Sequence, residues 1–183
     1  MGDAIKFFHT AEKTICIDHH VSNQAFAQKN KIVADASSAS ELVYDTMDPD
    51  KVTKEIAECI YTGLIHDTGV FQYGCTSSHT MQIAGRLMDL GIDYPSIVDK
   101  TFYEKTYAQN KVMGQALLNS RLYEGTGCIA SVISQEEMQQ FGVLPKHLDG
   151  IVSQLRITKE ADVAIFLYGL EPGSYKVSTR CKS

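Results

Sequence analysis

Thr14-Ile15-Cys16-Ile17-Asp18-His19-His20 is the stretch on which the reading of this chain turns. Thr14 to Ile17 form a short, β-branched, apolar run, which reads as a buried strand. An acid and two imidazoles follow at once, at the C-terminal end of that strand, where open α/β sheets place their ligands. Imidazole suits transition metals and carboxylate suits Mn²⁺ or Mg²⁺, so the mixed cluster points to Mn²⁺-type chemistry. Taken alone, the triplet fits equally well a turn capped by Asp18 with both histidines on the surface.

Asp67 separates the two readings. Val52, Ile56, Ile60 and Leu64 recur at helical spacing, and Gly69 supplies the left-handed residue that stops a helix. Asp67 therefore falls at a helix C-terminus, where the macrodipole disfavours a negative charge. A carboxylate placed there is better accounted for by a nearby cation.

Ile17-Asp18-His19-His20 followed by Gly63-Leu64-Ile65-His66-Asp67-Thr68-Gly69-Val70-Phe71 resembles the DHH phosphoesterase superfamily, named for the triplet. IDHHVSN from Ile17 to Asn23, DASSASELVY from Asp35 to Tyr44 and KVSTRCKS from Lys176 to Ser183 narrow the likeness. They resemble the DHH–DHHA1 (RecJ-like) branch that contains the bacterial bifunctional oligoribonuclease/PAP phosphatases, or nano-RNases. The resemblance runs over nearly the whole chain, with its motifs in the family's order. It implies an α/β fold, with a partial DHH domain at residues 1–107 built on a parallel sheet flanked by helices. A helical linker at 108–122 would join it to a partial α/β DHHA1 substrate-binding domain at 123–183.

The family's metal site also draws on an earlier His-x-x-x-Asp-x-Asp segment and on an aspartate after the second strand. Nothing before Ile17 has that spacing, and Asp3 and His9 read as surface residues. A glycine-rich GGGH segment follows in the family beyond the position of Ser183. The chain is therefore expected to be an internal fragment, nearly inactive in isolation, of an active parent.

Composition is that of a cytoplasmic globular piece: 183 residues, 44% hydrophobic, with no apolar run long enough to span a membrane and no signal peptide. Five scattered cysteines without a C-x-x-C pair read as reduced thiols rather than a zinc site or disulfide framework. A net charge of −5 argues against long duplex nucleic acid as a partner, since such binding needs a basic surface. It leaves room for short oligonucleotides held by a few placed groups.

Along the chain, Ile32-Val33 reads as a short strand. Ser37 or Ser38 caps a helix to about Met47, with Glu41 completing a capping box and Ala39, Leu42, Val43 and Met47 inward. Thr53 caps the helix that delivers Asp67. Ser77 or Ser78 opens a helix to Leu90, with Met81, Ala84, Leu87 and Met88 inward. Pro95 opens a short helix, and residues 102–123 read as one long helix or helical linker. After Gly125-Thr126-Gly127 come a strand at 128–133, a Ser134-capped helix and a Pro145 helix through about Leu155. Two strands follow at 162–170 and 175–181, turned by Glu171-Pro172-Gly173-Ser174.

The resemblance assigns roles. His19 and Asp67 would ligate one metal ion, with Asp18 either touching metal or orienting the histidines, and His20 would face the substrate phosphate. The cofactor implied is Mn²⁺, with Mg²⁺ as the alternative, in a two-metal site where an activated water attacks phosphorus in line. Ser178 and Arg180, on the last strand, would grip the substrate's far end, guanidinium being a planar fork for phosphate. The family more often reads Ser-Leu-Arg-Ser there, so Thr179 and Cys181 are departures. His66 and His79 read as structural, and Phe71 and Tyr73 either wall the cleft or stack bases.

Two function classes stand. One is a Mn²⁺-dependent phosphoesterase acting on short RNA or 3′-phosphoadenosine 5′-phosphate, with cyclic dinucleotide hydrolysis as its rival. The other is a non-catalytic truncated protein of this fold. No membrane partner is implied, and self-association into a homodimer is left open.

Overall fold

The computed structural model describes residues 5–182. Asp3 and Ser183 lie outside the described residues, and His9 is exposed. The chain divides into two compact units, one ending at Glu104 and the other beginning at Lys105, each with its own core.

The first unit opens with α1 (Ile5–Thr10), β1 (Ile15–Asp18) and β2 (Lys29–Ile32). The two strands pair in parallel, with Asp18 opposite Ile32. The second strand thus begins three residues before the expected Ile32, and Val33 lies outside it. Parallel strands are ordinarily joined by a helical crossover. Here a helix-free loop joins them, held by Asn30, whose side chain accepts from Ala27 N–H and donates to the Ala27 carbonyl.

Next comes α2 (Ala39–Tyr44), with Ser38 Oγ accepting the Glu41 N–H as N-cap. The helix stops short of Met47, and Leu42 is buried while Val43 faces out. The expected capping box is only half made, because the Glu41 carboxylate bonds Ser37 and Thr80 instead.

The helix α3 (Lys54–Thr68) follows its pattern closely. Thr53 caps it, Ile60 and Leu64 are buried, and Gly69 ends it at φ 58°. After it, α4 (Ser78–Asp89) opens on a reciprocal Ser77–Thr80 capping box. Its inward stripe is Thr80, Ile83, Ala84 and Leu87, at i, i+3, i+4 and i+7. Met81 and Met88, expected inward, flank that stripe and are exposed. The unit closes with α5 (Tyr94–Val98) and a π-type turn at Asp99–Tyr103.

The second unit begins with α6 (Tyr107–Leu118), opened by a Thr106–Gln109 capping box. The long helix expected over 102–123 is therefore interrupted on both sides, since extended Glu104 precedes α6 and a strand follows it. Val112 and Ala116 of α6 are fully buried, which makes this helix a core element of the second unit. Then come β3 (Arg121–Tyr123), β4 (Cys128–Ile133), α7 (Gln135–Phe141), α8 (Ile151–Arg156), β5 (Val163–Glu171) and β6 (Ser174–Cys181). The single helix expected from Pro145 to Leu155 is split at Gly150, φ 90°, into a 3₁₀ turn at Pro145–Leu148 and α8.

The four strands form one mixed sheet in the order β3-β4-β5-β6, with β4 and β5 parallel and the outer pairs antiparallel. Ile129, Ile133, Ala164 and Phe166 pack with Val112, Met138, Ile151 and Leu155 in the second core. Ser131 is buried among them and donates to the Ala116 carbonyl at 2.6 Å. That bond satisfies a hydroxyl that would otherwise be costly to bury. The whole is a mixed α/β fold with parallel and mixed sheets flanked by helices.

Candidate functional site

The strand β1 ends at Asp18, so His19 and His20 leave the sheet at its C-terminal edge. His19 Nε2 lies 3.5 Å from Asp67 Oδ2, bringing the end of β1 to the last turn of α3. The other ring nitrogen, His19 Nδ1, is 3.2 Å from the Ala36 carbonyl. A carbonyl only accepts, so Nδ1 carries a proton, and a neutral ring then presents the bare Nε2 lone pair to the Asp67 carboxylate. A cation between them, a proton or a metal ion, would join two lone-pair donors that face each other at that distance.

Asp18 is bonded within its own loop. Its Oδ1 accepts from His19 N–H at 2.8 Å, His20 N–H at 3.2 Å and His20 Nδ1 at 2.7 Å, while Oδ2 accepts from the Asn23 amide. The Asn23 bond, followed by those from His20, holds the Asp18 carboxyl well below the usual carboxylate range. Reciprocally, the bond and charge of Asp18 raise the His20 pKa above its ordinary value, with a smaller contribution from Asp67. With Nδ1 engaged by Asp18, His20 has Nε2 for an outside partner, and its side chain is 70% exposed. Asn23 was quoted in the IDHHVSN stretch with no role of its own. Its signal was its place five residues beyond Asp18, within reach of a loop that folds back.

The residues present fit a divalent cation in part. Imidazole and carboxylate suit Mn²⁺, and the Ala36 bond fixes the tautomer as outer partners of metal-bound histidines do. His19 and Asp67 would be the holders. Among the described residues, however, no group of three or more His, Cys, Asp or Glu side chains is arranged to hold an ion. Asp18, expected either to touch metal or to orient the histidines, bonds the His19 and His20 backbone and the His20 ring.

Past Asp67 the backbone is strained. Gly69, Val70 and Phe71 have φ of 58°, 56° and 65°, three left-handed residues in succession, two of them with bulky side chains. Buried Thr68 braces the turn, its hydroxyl donating to the Leu64 carbonyl and accepting from the Phe71 N–H. Phe71, partly buried, packs edge-on against Tyr61 at the margin of the core. Tyr73 lies over Gly69 and is part exposed. His66 meets Phe102 edge-on, and His79 Nε2 is 3.0 Å from Asp45 Oδ1, linking α4 to the end of α2.

In the second unit, Ser178 and Arg180 stand on β6 opposite Phe166 and Ala164 of β5. Residues two apart share a strand face, and both line a cleft of about 370 Å³ with Lys146, Gly150, Phe166 and Tyr168. Lys146 and Tyr168 were not singled out in the sequence, because no motif spacing ties them to Arg180. Among the described residues, all five cysteines are free thiols, and no helix is long and apolar enough to cross a membrane.

No family model matches the chain. A probable bifunctional oligoribonuclease and PAP phosphatase of Streptococcus mutans is 26% identical over 171 residues, spanning 92% of this chain and 54% of the relative. The bifunctional oligoribonuclease and PAP phosphatase of Bacillus subtilis is 28% identical over 156 residues, or 81% of this chain and 48% of that one. Among solved structures, an exopolyphosphatase-related protein from Bacteroides fragilis superposes with a TM-score of 0.87 at 27% identity, covering 93% of this chain and 51% of the other. The chain thus spans about half the length of the curated relatives it matches. Fold, motifs and relatives together support a DHH-family assignment.

Proposed function

We propose that this chain carries part of a phosphoesterase that hydrolyses short oligoribonucleotides and 3′-phosphoadenosine 5′-phosphate. The observation that carries the reading is His19, anchored at Nδ1 by the Ala36 carbonyl and facing Asp67 Oδ2 at 3.5 Å. His19 and Asp67 would hold one Mn²⁺, with Mg²⁺ as the alternative. When bound, such an ion supplies Lewis-acid polarisation of a phosphoryl oxygen and a more acidic water. His20, kept cationic over a wider pH range by Asp18, would donate from Nε2 to a phosphate oxygen that gains charge in the transition state. Ser178, Arg180 and Lys146 would take a substrate phosphate in the second unit's cleft. The names of the Streptococcus and Bacillus relatives favour these two substrate classes over cyclic dinucleotides.

The two donors are fewer than the six positions a divalent ion such as Mn²⁺ commonly fills. Turnover by this chain is accordingly expected to be weak beside that of a longer family member. The test is hydrolysis of 3′-phosphoadenosine 5′-phosphate and of a diribonucleotide with Mn²⁺, by this chain and by its His19→Ala and Asp67→Ala variants. Mn²⁺-dependent release of phosphate or mononucleotide that both substitutions abolish supports the reading. Preferred hydrolysis of cyclic di-AMP would overturn the substrate assignment, and activity that survives both substitutions would overturn the site.

A further inference from the structure

Glu41 is buried, 5% exposed, on the inner side of α2, and its neighbours Ser37, Ser38 and Thr80 are buried still more deeply. A carboxylate in such a place is costly unless hydrogen bonds surround it. Three do. Oε1 accepts from Ser37 N–H at 3.4 Å, and Oε2 accepts from the hydroxyls of Ser37 and Thr80, each at 2.6 Å. The one hydroxyl proton of Thr80 is committed to Glu41, so the Ser77 hydroxyl, 3.0 Å away, donates to Thr80 Oγ1. The result is a directed chain from the first turn of α4 to the carboxylate on α2.

The Ser37 N–H belongs to the same peptide unit as the Ala36 carbonyl. That unit is a rigid plane, with its N–H and C=O on opposite edges. Glu41 holds the N–H edge, and His19 Nδ1 bonds the C=O edge at 3.2 Å. Any rotation of the plane that frees Glu41 also removes the acceptor that fixes the imidazole.

We propose that Glu41 is a positioning residue for His19: through the Ala36–Ser37 peptide it keeps the proton on Nδ1 and the bare Nε2 aimed at Asp67. The inference rests on reading His19 and Asp67 as a cation-holding pair. Glutamine cannot accept all three bonds, because its NH₂ group would face either the Ser37 N–H or the two donating hydroxyls. Thr80→Val withdraws one donor without changing the shape, whereas Thr80→Ser keeps it.

The test is long-range ¹H–¹⁵N correlation of the histidine rings in the ¹⁵N-labelled full chain, at about pH 8.5, roughly two units above the ordinary imidazole pKa. Mn²⁺ titration follows on the same samples. Wild type and Thr80→Ser are expected to show His19 in the Nδ1–H form alone. Glu41→Gln and Thr80→Val are expected to show both tautomers, with Mn²⁺ affinity roughly 10–100-fold weaker where binding is measurable. Should Glu41→Gln fail to fold, Thr80→Val and Ser37→Ala carry the test. A His19 ring that stays wholly Nδ1–H in the folded variants overturns the proposal. A tautomer shift in a wild-type background that binds no Mn²⁺ supports the positioning role and overturns the metal reading instead.

Discussion

His19 Nε2 and Asp67 Oδ2 meet at 3.5 Å, joining the end of a strand to the last turn of a helix. The helix dipole works against a carboxylate at that end, by about 0.3–1 kcal/mol. Asp67→Asn is therefore expected to raise the thermal midpoint of the metal-free chain slightly while removing its response to Mn²⁺. Added Mn²⁺ should raise the wild-type midpoint by mass action and leave the variant's unchanged. Differential scanning calorimetry with and without Mn²⁺ checks both halves, and a variant still stabilised by the ion would contradict the assignment.

Asp18 and His20 make the loop pH-dependent in two windows. The His20 pKa is raised from its ordinary 6.5, so its stabilising bond to Asp18 is fully present below that value and is lost as pH rises through the folded pKa. Asp18 is lowered from 3.8, so its contribution is present above that value and is lost only as pH falls through the depressed folded pKa. An NMR titration should find His20 titrating above 6.5 in the wild type and near it in Asp18→Asn.

Asn23 is the first cause of the low Asp18 pKa, and its Oδ1 also accepts the Ala25 N–H at 2.9 Å. Asn23→Ala should move the Asp18 pKa up toward 3.8 and loosen the loop between β1 and β2. Carboxyl-detected NMR reads the first effect, and amide exchange in residues 19–28 reads the second. An unmoved Asp18 pKa would mean that His20 alone sustains the shift.

Gly69 holds φ 58°, and a Cβ there would lie 2.4 Å from the Tyr73 ring. Strain from the left-handed conformation alone costs about 1–2 kcal/mol, before the ring has to move. Gly69→Ala should lower unfolding free energy by about 2 kcal/mol or more and weaken Mn²⁺ binding through Asp67. Urea denaturation measures the former.

Leu155 is fully buried among Val112, Ile133 and Phe166 in the second core. Leu155→Ala should cost roughly 2–5 kcal/mol, since a cavity remains where the side chain was. Hydrogen exchange should show lost protection in β4 and β5 with α3 little changed, because α3 packs into a separate core. Equal loss in both units would show that they unfold as one.

Much of this was readable from residues near one another in the chain. The strand expected at 14–17 (found at 15–18, with Ile15 exposed rather than buried), the Thr53 cap, the Gly69 stop, the Ser134 cap and the Glu171–Ser174 turn depend on backbone chemistry within a few positions. The family motifs likewise marked His19, Asp67, Ser178 and Arg180. Less was readable where a side chain chooses among distant partners. Glu41 had a local option in the Ser38 N–H and took Thr80, thirty-nine residues away. Met81 and Met88 matched a helical stripe but lost it to Ile83 and Thr80, because α4 turns that face toward its neighbours.

Residue types and spacing alone therefore determine many of the elements and the pair of motifs that meet at the site. Folding in three dimensions settles which atoms of those motifs face each other. Asp18 turns to Asn23 and His20, and His19 turns to Asp67 because the Ala36 carbonyl holds its other nitrogen. Hydrogen-bond partners are assigned by distance in space, and distance in space between residues 19, 36, 41, 67 and 80 exists only once the first core has formed.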